Sequence, residues 1–290
     1  MRSSPECLKC GLEQCRRMVR MVTGSEERWQ ELKSRLLEMA KGLNLNEPPG
    51  IYTSHLLIQT MEFLKEKDPF QTVKAEQNRV ASRLAADFDR IIGADEAGLH
   101  QALMIAAAVN VIDVGPGRRF DLYQLLNSLR FELDASAQLI ARLKNRARVL
   151  YILDNSGEVE FDRLVFKRLS GVELTIAARS FPMLNDVTVT EARALGLEQF
   201  GRVIGTGSPY LGIDFQTVSP EFRDEFWQAD LVIAKGHANF ESLVDGPRDG
   251  YYLLTAKCQL VADRLGVGLG APVCFYANPG GRKDVSGSSN

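Results

Sequence analysis

The chain has 290 residues, 45% of them hydrophobic and 25% charged, with a formal net charge of −2 and a pI near 6.0. That length builds one large or two smaller globular domains, and the near-neutral balance excludes the basic footprint of a nucleic-acid binder. No apolar stretch is long enough to span a bilayer, and Met1 to Cys7 carries no apolar signal segment, so no membrane partner and a cytoplasmic location are expected.

The first half reads as a helical array. Ser25 caps a helix whose apolar positions Trp29, Leu32, Leu36 and Met39 fall at helical spacing, and Gly42 ends it. Pro48-Pro49-Gly50 reads as a turn. Ile51 to Lys65 carries a second amphipathic pattern. Asp68-Pro69 resembles an N-cap followed by proline at the first helical position, opening a long helix to about Ile92. Asp95 opens an alanine-rich helix through Ala108. Val114-Gly115-Pro116-Gly117 breaks the chain, helices resume near Phe120, and Asp134 is a candidate cap for the last of them.

From about residue 147 the pattern alternates strand with helix, which argues a parallel sheet. The strands are expected at Val149–Leu153, Leu174–Ala178, Arg202–Ile204, Leu231–Ala234, Tyr251–Leu254 and Val273–Tyr276. The fold class is therefore α/β: a Rossmann-like α/β/α sandwich over residues 147–280, behind a helical array over 1–146. Residues 281–290 read as a frayed tail.

The strand ends carry the chemistry. The first strand runs into Leu153-Asp154-Asn155-Ser156-Gly157-Glu158 and a helix follows to about Leu169. The second runs into Arg179-Ser180-Phe181-Pro182-Met183-Leu184-Asn185-Asp186. The fourth ends in Lys235-Gly236-His237-Ala238-Asn239-Phe240-Glu241, and the fifth is followed by Lys257-Cys258. The carboxyl edge of a parallel sheet is where open α/β folds bind ligands. Asp and Asn oxygens suit a hard cation, and two lysines suit an anion such as phosphate. Taken singly, Asp154-Asn155 reads as a helix cap and Asn185-Asp186 as a turn. Their recurrence at successive strand ends points to one site. Gly205-Thr206-Gly207-Ser208 reads as a phosphate cradle or a plain turn. Arg118-Arg119 reads as substrate-facing or as surface.

Three stretches, Leu153 to Glu158, Pro182 to Thr188 and Ala234 to Glu241, in order and spacing, resemble the signatures of the metal-dependent damage-control phosphatases, long catalogued as domain of unknown function eighty-nine. Cys7-Leu8-Lys9-Cys10 and Lys257-Cys258 are similar to the mainly microbial Cys-x-x-Cys subfamily, and Val111-Ile112-Asp113 extends the likeness. Phe181-Pro182-Met183-Leu184 departs from the small aliphatic residues expected there. The resemblance implies a divalent metal held by Asp154, Asn155 and Asp186, with manganese, cobalt, nickel or magnesium as activator, and hydrolysis of small phosphorylated metabolites. On that reading the catalytic set is Asp154, Asn155, Asp186 and Lys235. Glu158, Asn185, Gly236, Asn239 and Lys257 contact the substrate. Either a metal-activated water or Asp154 itself is the nucleophile.

Two other function classes compete. One is a regulatory protein that binds metal and phosphometabolite without turnover. The other is a nucleotide-dependent transferase, which the missing Gly-x-Gly-x-x-Gly fingerprint disfavours. The five cysteines are too few for a disulfide scaffold. Cys7, Cys10, Cys15 and Cys258 read either as a second metal or redox site or as reduced thiols, and Cys274 as core. His55 and His100 read as structural, and His237 as bordering the pocket. Oligomeric state is open.

Overall fold

A computed structural model describes residues 1–108, 122–143 and 146–278. The expectations for Val111-Ile112-Asp113, the glycine break, Arg118-Arg119, the restart near Phe120 and the tail at 281–290 lie outside those residues. In chain order the elements are α1 (Pro5–Thr23), α2 (Glu26–Ala40), α3 (Pro49–Leu64), α4 (Gln71–Ile91), α5 (Glu96–Ala108), α6 (Leu122–Ser128), β1 (Leu133–Asp134) and α7 (Ser136–Arg142). They continue as β2 (Arg148–Ile152), α8 (Glu158–Phe166), β3 (Glu173–Ala178), α9 (Val189–Ala194), β4 (Arg202–Gly205), α10 (Pro220–Gln228), β5 (Leu231–Lys235), α11 (Gly236–Leu243), β6 (Gly250–Thr255), α12 (Gln259–Leu265) and β7 (Pro272–Ala277). None of these helices is long and apolar enough to cross a membrane.

Among the described residues one sheet runs in the order β1-β7-β6-β5-β2-β3-β4. The chain builds outward from β2 through β3 to β4, then returns to place β5 on the other side of β2. A crevice opens between β2 and β5, where successive connections leave in opposite directions. Strand β2 shows why both faces are covered. Val149 and Tyr151 pack into one core, which α4, α5 and α8 complete. Leu150 and Ile152 point the other way, into a core closed by α10, α11 and α12. A strand buried on both faces reads as an unbroken apolar run, as this one does.

The sheet is not wholly parallel. β6 pairs antiparallel with β7. Gly266 ends α12 with φ 72°, and the chain turns back before β7 through Gly270 at φ 87°. β1 was not anticipated: two residues pair in parallel with β7, Leu133 with Val273 and Asp134 with Cys274. A run that short leaves no alternation to read.

Two helix starts also differ from expectation. Pro48-Pro49-Gly50 is not a free turn; Pro49 opens α3, its fixed φ suiting the first helical turn. Asp68 does not cap α4, which starts at Gln71. Its carboxylate instead accepts from the buried Lys74 Nζ at 2.7 Å. Ser25 and Asp95 do act as expected, accepting from Arg28 N–H at 3.2 Å and Gly98 N–H at 2.9 Å.

Helices α1, α2 and α3 share a third core around Cys15, Trp29, Leu36 and Leu56. Met183 and Leu211 join it from the sheet's loops. So the methionine that departs from the family pattern is an anchor for the array. The array reaches the sheet edge at two buried points. Ser54 Oγ accepts from Leu211 N–H at 2.8 Å, and Gly50 N–H donates to Glu241 Oε2 at 3.0 Å.

Candidate active site

The loops after β2 and β3 are tied together by backbone. Val187 N–H donates to Asp154 O at 2.9 Å, and Ser156 N–H donates to Asn185 O at 2.8 Å. Asn155 and Asp186 form an antiparallel bridge. These bonds bring the Asp154 and Asp186 carboxylates together, both buried. Gly157 sits at φ 82° between Asn155 and α8, and its N–H is fixed by Asn78 Oδ1 of α4 at 2.6 Å.

Gly236 has the firmest steric requirement. It lies at φ 75°, and a Cβ there would fall 1.9 Å from Asp154 Oδ2. Its lack of a side chain lets β5 end against the carboxylate.

Asn155 Nδ2 donates to Asp154 Oδ2 at 2.8 Å and to Glu158 Oε1 at 2.7 Å. Both amide hydrogens are spent on carboxylates, which leaves the amide oxygen as its ligand atom. Burial, then the charges of Glu158 and Asp186, hold the Asp154 carboxyl well above the usual range. Burial also raises Asp186, against the opposing pull of Arg179. Crowded acidic groups in a dry site favour a cation, and two carboxylates with one amide oxygen suit a hard divalent ion. The donor chemistry is therefore compatible with the divalent metal expected from the family resemblance.

Arg179, which follows β3, organises this cluster. Its Nε donates to Asp186 Oδ2 at 2.7 Å, Nη1 to Gly212 O at 2.7 Å and Nη2 to Asn239 Oδ1 at 3.0 Å. Asn239 in turn donates to Leu153 O at 3.0 Å and Lys235 O at 2.8 Å. Asn239 is thus fully buried with its amide spent on the fold, a positioning task rather than the substrate contact expected of it. Sequence reasoning did not single out Arg179. Its only signal is an arginine at a strand end, which solvent-facing arginines share.

The two lysines are placed differently. Lys235 Nζ is buried, 2.7 Å from Asp162 Oδ1 and 3.9 Å from Glu158 Oε2. Burial pushes its pKa down, but the neighbouring Asp162 and Glu158 charges more than offset this and raise it. Tyr151 OH donates to the same Asp162 oxygen at 2.7 Å. Lys257 instead stands exposed on a cavity of about 740 Å³ that Asp154, Asn155, Asn185 and Asp186 also line. Asn185 Nδ2 lies 3.5 Å from Gln77 Oε1 of α4, so α4 borders the site through Gln77 and Asn78. Nothing in the polar face of α4 marks those two residues in sequence.

His237 Nε2 lies 2.7 Å from Thr255 O and 2.8 Å from Lys257 N. Burial lowers its pKa to about 4, so the ring is neutral at physiological pH. Cys7, Cys10 and Cys258 line the same cavity. Cys15 and Cys274 are buried elsewhere. His55 and His100 serve structure, 3.1 Å from Glu47 Oε2 and 2.7 Å from Ser136 Oγ. Gly205 ends β4 and Thr206–Ser208 continue without regular structure: Thr206 N–H donates to Ala178 O at 2.9 Å and Gly207 N–H to Ser180 Oγ at 2.6 Å.

Comparison with known proteins bears on this geometry. Residues 3–273 match the model of the damage-control phosphatase ARMT1-like domain. The chain is 35% identical over 286 residues to damage-control phosphatase PH1575 of Pyrococcus horikoshii, covering 95% of this chain and 98% of that one. It is 27% identical to a damage-control phosphatase of Archaeoglobus fulgidus, over 93% and 97% of the two chains. The crystal structure of the Pyrococcus protein, described as a DUF89 family member, superposes with a TM-score of 0.87 at 34% identity, over 95% of this chain and 99% of that one. The chain belongs to the damage-control phosphatase ARMT1-like family.

Proposed function

We propose that the protein is a metal-dependent phosphatase acting on small phosphorylated metabolites, either sugar phosphates or damaged cofactor precursors. The observation that carries this reading is the set of the buried Asp154 and Asp186 with the half-buried Asn155 at the crevice between β2 and β5, opening into a cavity that Lys257 lines. A volume of about 740 Å³ suits a metabolite-sized ligand.

Magnesium, manganese, cobalt or nickel would be held by Asp154, Asn155 and Asp186, and when bound would supply a Lewis acid for a phosphoryl oxygen and a water of lowered pKa. The protein's own residues do the rest. Lys257 pairs with the phosphoryl oxygens as negative charge spreads over them in the transition state. Glu158, oriented by Asn155 Nδ2, takes the proton from the attacking water. Lys235, itself held by Asp162 at 2.7 Å, stands 3.9 Å from Glu158 Oε2 and fixes its position. Arg179 holds Asp186 through Oδ2. Gly236 admits the phosphate close to backbone. Water attack requires no covalent bond to Asp154, whose Oδ2 is engaged by Asn155.

The test is hydrolysis of a panel of sugar phosphates and an aryl phosphate by metal-stripped protein, with each divalent cation restored in turn. Activity that needs the metal and is lost in Asp154→Ala supports the reading. A folded, metal-loaded protein inert on the whole panel would replace it with a non-catalytic phosphometabolite binder. A trapped phospho-Asp154 peptide would replace water with Asp154 as nucleophile.

A further inference from the structure

A second set of ligand atoms lines the same cavity. His237 and Glu241 of α11 and Cys258, just before α12, bring a ring nitrogen, a carboxylate oxygen and a sulfur within 4.8 Å of one another. His237 and Glu241 stand one turn apart on one helix face. His237 Nδ1 lies 3.9 Å from Glu241 Oε1, too far for a hydrogen bond. Tetrahedral zinc, with bonds of about 2.0 Å to nitrogen and oxygen and 2.3 Å to sulfur, spaces its ligands roughly 3.3 to 3.6 Å apart. A bound ion would draw these three atoms together by at most about 1.5 Å.

Both ligands on α11 are already held from behind. Gly50 N–H donates to Glu241 Oε2 at 3.0 Å, which leaves Oε1 toward His237. With its proton on Nε2, His237 donates to Thr255 O at 2.7 Å and turns the Nδ1 lone pair toward Glu241. Metal-binding histidines are oriented in this way, the second ring nitrogen donating to a backbone carbonyl. The alternative tautomer satisfies Lys257 N–H instead, so an ion at Nδ1 selects between the two.

We propose that His237 Nδ1, Glu241 Oε1 and Cys258 Sγ form a second divalent-metal site, for a borderline-soft ion of the zinc class. Its donors differ in kind from the all-oxygen Asp154, Asn155 and Asp186 set, which suits hard ions. Loading releases the Cys258 thiol proton to solvent as the sulfur–metal bond forms. The fourth position opens onto the cavity, where α1 contributes Cys7 and Cys10. The site stands whether or not the protein is a phosphatase.

The experiment is a titration of cobalt(II) into the chelator-stripped full-length protein, followed by optical absorption and by the metal bound per chain. Two equivalents are expected, one of them carrying a thiolate-to-cobalt charge-transfer band that an all-oxygen site cannot give. Zinc should bleach the band and magnesium should not. Cys258→Ser should abolish it, and His237→Ala should weaken that equivalent on the order of 10- to 100-fold. Asp154→Asn should remove the other equivalent and keep the band. Cys258 is exposed, so its substitution leaves the fold intact, which circular dichroism checks. Absence of a thiolate band from the cobalt-loaded protein overturns the proposal. A band unchanged in Cys258→Ser overturns it equally, by moving the thiolate to α1.

Discussion

At the scale of single residues, the site is set by groups that exclude alternatives. Gly236→Ala would drive a Cβ to within 1.9 Å of Asp154 Oδ2 at a left-handed φ. We expect it to destabilise the fold by about 2 kcal/mol and to lower phosphatase activity on the order of 100-fold, because the carboxylate must move. Thermal melts and steady-state kinetics would show both, and a fully active alanine variant would contradict the geometry. Arg179→Lys retains the charge but cannot reach Asp186, Gly212 and Asn239 together. Divalent-metal affinity should fall roughly 10- to 100-fold, read by calorimetry. Asp154→Asn removes one of several crowded acidic groups from a buried site. The metal-free variant should therefore melt higher than the metal-free parent while losing hydrolysis. The trade of stability for activity is then visible in one side chain.

At the scale of elements, the position of the site was legible, because β2, β3 and β5 end in polar residues at recognisable strand boundaries. What surrounds it was not. Helix α4 supplies Gln77 and Asn78 to the site from a polar face whose residues carry no distinctive pattern. Its start was misplaced because Asp68 is drawn to Lys74 rather than to the helix N-terminus. Lys74 is buried between Asp68 and Glu191, at 2.7 Å and 2.6 Å, and so couples α4 to the helix that follows Asp186. Lys74→Ala leaves those carboxylates without their cation and should cost about 3 kcal/mol, measurable by urea denaturation. A cost below 1 kcal/mol would mean the pair is no clamp. Asn239 shows the other limit of sequence reading. An asparagine three residues after a lysine-glycine pair reads as a substrate contact, and only its three partners show that it holds backbone and Arg179 in place.

At the scale of the whole molecule, alternation of strand and helix after residue 147 sufficed to expect the sheet. Its reversal at β7 and its closure by β1 depend on pairings between distant residues, which local pattern does not carry. The buried thiols give the assembled core a pH signature. Burial pushes Cys15 up to about 11 and Cys274 up to about 12. Both folded values exceed the ordinary thiol value of 9.0, so the stability they support is complete below pH 9 and is lost as the pH rises through 11 for Cys15 and 12 for Cys274. For Cys15 the loss approaches about 3 kcal/mol. Urea midpoints at pH 8 and pH 11 should diverge less in Cys15→Ala than in the parent, and an equal divergence would remove Cys15 as a source. The pairing of Leu133 with Val273 also has a consequence for synthesis. As the chain leaves the ribosome, β1 emerges about 140 residues before its partner and cannot close the sheet until β7 follows. The nascent protein carries an open sheet edge through nearly half of its translation. That is the interval in which a holding chaperone has most to protect.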